Sequence, residues 1–204
     1  MHAFALGLLA GLAVAMPLGA IGVLLLRESM LAGRRRAVAA ALGVATVDTV
    51  YAVAAVVVGA QVSRLVESAA DVIRVVSGAA LLAVGVVGLV GWWRTRAVEP
   101  VPDDRPAGSA YLRFVALTAL NPATLLIFAT VATGAVAELG DGRPALATSA
   151  AFVAGVGLAS AGWQVLLVFA GGLAGARLGP RLRAWVSPIG SAIVVGLAAW
   201  VLVG

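Results

Sequence analysis

The chain has no cysteine, no lysine, a single histidine, and charged residues at only 11% of its 204 positions. Without cysteine there are no disulfides, no thiolate metal sites and no thiol chemistry. His2 is the only histidine, so a histidine metal cluster, a Ser/His triad or a histidine proton relay cannot form within one chain. It reads as a solvated residue near the chain start. Soluble domains carry about 25% charged residues, so an ordinary soluble fold is excluded as well.

What the chain has instead is apolar sequence: 62% of it is hydrophobic. A helix needs about 20 apolar residues to cross a bilayer core roughly 30 Å thick. Six blocks meet that length, at approximately 3–26, 37–62, 72–93, 112–136, 145–172 and 184–203. The expected fold is an all-α integral membrane protein, one polytopic domain over 1–204 with six transmembrane helices. The first block has no basic segment before Arg27 and exceeds a usual signal core, so it is read as a retained span.

All the basic residues are arginine, and the net charge is +5. In a soluble protein that balance would suggest nucleic acid. Here the arginines sit at block edges, where they set orientation, and no nucleic-acid partner is expected. Eleven lie in loops 1–2, 3–4 and 5–6, against Arg64, Arg74 and Arg143 in loops 2–3 and 4–5. That asymmetry predicts cytoplasmic odd loops and both termini outside. Arg34–Arg36 reads as a topology signal before a lipid site, and Asp103–Asp104 as a solvated loop pair.

The proline-rich, charged loop between blocks 3 and 4 divides the chain into half 1 (1–93), a cytoplasmic linker (94–111) and half 2 (112–204). Three helices per half place the second half in the membrane upside down, as a 3+3 inverted repeat requires. Pro17 in block 1 and Asn121-Pro122 in block 4 fall near corresponding depths. Proline removes a backbone donor, and lipid offers no water to replace it. Helices 1 and 4 are therefore expected to break near the midplane, where broken helices line cavities. Small residues at helical spacing, such as Gly7 with Gly11 and Gly171 with Gly175, suit packing within the chain. A homodimer face is the alternative.

Asp48 is the one ionisable residue deep inside a block. A carboxylate there costs on the order of 3 kcal/mol to insert, so it reads as a substrate-ammonium or proton site. Half-helix N-termini at "PLGAIG" and "NPAT" would offer N–H groups and partial positive charge to a carboxylate, with Gly19 and Gly22 allowing close approach. Two positive helix ends and one acid together match an amino acid. The candidate substrate-binding residues are Pro17, Gly19, Gly22, Asp48, Asn121, Pro122, Thr124 and Gln164, with Asp48 also coupling protons. Thr46, Thr49, Tyr51, Thr118 and Trp163 are secondary polar candidates, and Trp92, Trp93, Trp185 and Trp200 interfacial anchors. No catalytic residue, metal or cofactor is expected. The blocks lack a nucleophile–base pair and the loops a dense acidic cluster.

At these residues the sequence resembles the LysE/RhtB translocator family. "MPLGAIGVLLLRESMLAGRRR" is similar to the family's first-helix proline-glycine motif with its arginine loop, and Gly43 and Asp48 match a glycine and an aspartate of its second helix. "LTALNPATLLIF" resembles its Asn-Pro segment and "GVGLASAGWQVLL" its fifth helix, with Trp163. The second proline of the usual Pro-Gly-Pro is absent, and Ala123 stands where a basic residue often follows Asn-Pro. The resemblance implies ion-gradient-driven export of amino acids across a bacterial inner membrane. A cation or heavy-metal exporter and a non-transporting membrane partner are the alternatives.

Overall fold

A computed structural model of the chain describes residues 2–16, 19–58, 69–95, 106–121, 124–125, 128 and 146–203. Among these residues there is no strand, and the helices are α1 (His2–Ala15), α2 (Ala20–Leu31), α3 (Arg34–Val58), α4 (Ala70–Thr95), α5 (Ala107–Ala119), α6 (Leu146–Arg177) and α7 (Pro180–Val203). Helices satisfy every backbone polar group internally, which lipid demands. Three stretches are long and apolar enough to cross a bilayer: Arg34–Val57, Arg74–Arg94 and Leu146–Arg177. Their mean hydropathy is 1.8, 2.2 and 1.8. The pair α1 and α2 passes the same test as one broken span, bent by 81°. The chain is an all-α integral membrane protein.

Several helices outrun the apolar blocks. α2 continues past residue 26 to Leu31, and α5 begins at Ala107, inside the expected linker. Hydropathy marks only the hydrocarbon core, whereas helical hydrogen bonding carries on into the interface where the arginines lie. Residues 96–105 of the linker, with Asp103–Asp104, lie outside the described residues.

The first break is sharp. Met16 N–H closes the last turn of α1 onto Leu12 O. Gly19 is extended, with φ −82° and ψ −166°, and its carbonyl accepts from Val23 N–H in the first turn of α2. Pro17 and Leu18 lie outside the described residues. α2 then turns into α3 through Gly33, whose φ of +82° is the left-handed conformation glycine adopts after a helix.

α6 is the central rod: α1, α2 and α3 all pack on it, α3 also carries α5, and α4 lies along α7. Backbones come close where a glycine faces the neighbouring helix. A methyl on Gly7 would collide with the Phe152 carbonyl, one on Gly155 with the Phe4 carbonyl, and one on Gly43 would come within 2.6 Å of Tyr111 O. Without a hydrophobic force between helices in lipid, such close approach is a main source of cohesion. Two apolar clusters result. One joins Leu24, Leu25, Val44, Phe114 and Leu117; the other joins Val14, Ala52, Phe128, Phe152 and Val156.

Candidate functional site

A cavity of about 90 Å³ lies between those clusters, with Val44 of one and Val14 of the other in its wall. Gly19, Ile21 and Gly22 of the first break line it, as do Asn121 and Thr124 at the end of α5. Asp48 of α3, Thr118 of α5 and Gln164 of α6 complete its polar wall. That volume holds several waters or a small polar solute.

Each polar group arrives there for a local reason. Gly19 needs its glycine neither for backbone angle nor for packing: φ is ordinary, and nothing lies within 4 Å of where its Cβ would stand. The open space beside it is the cavity. Val23 N–H bonds Gly19 O in the first turn of α2, and the N–H groups of a first turn lead out of the helix end. At the second break α5 stops at Ala119, Asn121 is non-helical, and Leu125 N–H returns to Asn121 O. The Asn121 side chain folds over that new turn, its Nδ2 donating to Thr124 Oγ1 at 3.0 Å.

Asp48 is 2% exposed, and Ser160 Oγ of α6 donates to its Oδ2 at 2.6 Å. A hydroxyl bonds a carboxylate without neutralising it. Beside the acid stand two oxygens with no hydrogen-bond partner in the protein, Gln164 Oε1 and Thr118 Oγ1, on side chains that are 5% and 1% exposed. Buried polar atoms nearly always find partners, so orphans facing a cavity call for a guest that donates. A carboxylate with two further acceptors suits a primary ammonium, which has three donors. Of the secondary candidates, Thr46 and Thr49 instead bond the Leu42 and Ala45 carbonyls of their own helix, and Trp163 Nε1 is buried without a partner.

Of the sequence-predicted residues, six meet at the cavity: Gly19, Gly22, Asp48, Asn121, Thr124 and Gln164. Pro17 and Pro122 lie outside the described residues. Sequence reasoning missed Ser160, although it precedes Gln164 by four residues and so shares its helix face. Gly43, read from the resemblance, serves close packing of α3 on α5.

Asp48 is not the only buried acid. Glu28 is 9% exposed, beyond the apolar block yet still inside α2. Arg36 Nη2 stands 3.1 Å from its Oε1, and Arg113 Nη2 donates to Oε2. One acid thus ties α2, α3 and α5 together. Arg36 is buried in this cluster, so the arginine run is more than a topology signal. Nearby, Arg27 Nη2 donates to Ser187 Oγ of α7 at 2.7 Å, and Arg34 lies over the Phe169 ring of α6. Trp92 meets Trp185 at 5.7 Å, joining the end of α4 to the start of α7.

Among the described residues no group of three or more His, Cys, Asp or Glu could hold a metal ion. No curated protein and no solved structure matches the chain. The family model for the LysE type translocator matches residues 12–204, and the chain belongs to that family of membrane transport proteins.

Proposed function

We propose that this protein is a secondary active exporter that moves amino acids, or closely related small zwitterions, out of the cytoplasm in exchange for protons. The observation that carries the reading is the cavity itself, which gathers both helix breaks, the lone mid-span acid and two partnerless oxygens. Asp48, Gln164 and Thr118 bind the substrate ammonium. The helix ends at Gly19–Gly22 and at Asn121–Thr124 bind its carboxylate, with Pro17 and Pro122 keeping those ends free. When substrate leaves, Asp48 takes up a proton in its place, which couples the two fluxes.

In this reading the six spans form a 3+3 inverted repeat with the arginine-rich loops in the cytoplasm, and the halves 1–93 and 112–204 rock around the cavity to expose it alternately. The cavity holds a single acid and little spare volume, which supports a neutral substrate with a small side chain. Counterflow of labelled amino acids in proteoliposomes tests the proposal, comparing wild type with Asp48→Asn. Wild type should exchange neutral amino acids and the variant should not. Normal exchange by the variant would remove Asp48 from the mechanism.

A further inference from the structure

Tyr51 does not line the cavity, yet it touches both sides of the break that does. The trouble begins with Pro122, which has no N–H to offer the carbonyl four residues earlier, at Thr118. Leu120 N–H still makes the ordinary helical bond to Ala116 O, and the chain then tightens, Asn121 N–H bonding Thr118 O three residues back. The next carbonyl, Ala119, accepts from Tyr51 Oη at 2.7 Å, a donor supplied by α3. The same tyrosine ring meets Phe128, beyond the break, edge to face at 5.6 Å. One side chain therefore holds the last turn before the interruption and an aromatic after it.

Tyr51 stands three residues from Asp48, on the adjoining turn of α3. α3 thereby supplies the acid for one end of the guest and the brace for the other. A helix end left without donors inside a membrane would seek another arrangement, and Asn121 and Thr124 would move with it. We propose that Tyr51 is a positioning residue, holding the Ala119 carbonyl and the Phe128 ring so that Asn121 and Thr124 face the substrate carboxylate. This rests on the reading of the cavity as an amino-acid site.

The test separates the two ends of the substrate. Glycine, alanine, threonine and leucine are offered to wild-type protein in proteoliposomes, and the best carried is paired with its primary amide. Both are then titrated against wild type and Tyr51→Phe at about pH 6, where both ammonium groups are charged. The expected result is an apparent affinity for the amino acid about tenfold weaker, with maximal rate and amide affinity little changed. Phe128→Leu, which keeps the hydroxyl bond, should shift amino-acid affinity the same way by about threefold, and serves if Tyr51→Phe does not fold. Equal losses for acid and amide, or no loss for either, would make Tyr51 a structural residue only. If wild type carries none of the four, the cavity reading itself fails and takes this inference with it.

Discussion

Glu28 and Asp48 are both buried carboxylates, and their surroundings differ in kind. Glu28 has an arginine at each oxygen, Arg36 and Arg113, and closes a contact among three helices. Asp48 has a serine hydroxyl on one oxygen and, around it, orphaned acceptors and open volume. An acid whose counter-charges are built into the fold has little left to offer a visitor. An acid held by a neutral donor keeps its charge unspoken for, and its desolvation is offset only when a cation or proton arrives. The first acid belongs to architecture and the second to traffic.

The contrast can be broken at either end. Asp48→Asn should lower counterflow by about a hundredfold, since a charged hydrogen-bond partner is worth about 3 kcal/mol. Its thermal midpoint should stay near that of wild type, because the amide oxygen can still accept from Ser160. Glu28→Gln should do the reverse. Stranding two arginines should cost about 3 kcal/mol in a denaturation measurement, while substrate affinity in the surviving folded protein stays close to wild type. If Asp48→Asn destabilises as much as Glu28→Gln, the distinction is lost.

Smaller changes sharpen the picture. Gln164→Leu removes an acceptor that has no partner in the protein, so stability should hold or rise while affinity falls about fivefold, near 1 kcal/mol. Ligand-induced thermal shift measures both. Gly19→Ala meets no atom within 4 Å, so the fold should be untouched. The added methyl takes up cavity volume, and affinity should drop about threefold. An unchanged affinity would place the guest away from the first break.

How much of this could be read beforehand follows from which signals stand out against an apolar background. A carboxylate amid valines and alanines is conspicuous, so Asp48 was legible, as were the glycines and the asparagine beside the two prolines. Ser160 lies in "GLASAGW", where its hydroxyl is hidden among residues chosen for size. Glu28 escaped because hydropathy ended the first block before it, and the arginines that hold it read as membrane-edge charge. Tyr51 was visible as a polar side chain, but its partners, Ala119 and Phe128, are roughly 70 residues away in sequence and no local pattern pairs them.

The glycine contacts of α6 carry a mechanical consequence. α1 is seated on that rod through Gly7, Gly11 and Gly155 at backbone distance, and α2 through Gly175 against the Met30 backbone and Gly171 against the Ser29 side chain. Both arms on either side of the first break are thus bolted to one strut, with little side-chain cushion to let either slide. Because α1 and α2 belong to one half of the chain and α6 to the other, any rocking of the halves has to part these seams, so resistance to opening resides in the small-residue contacts and not in the break.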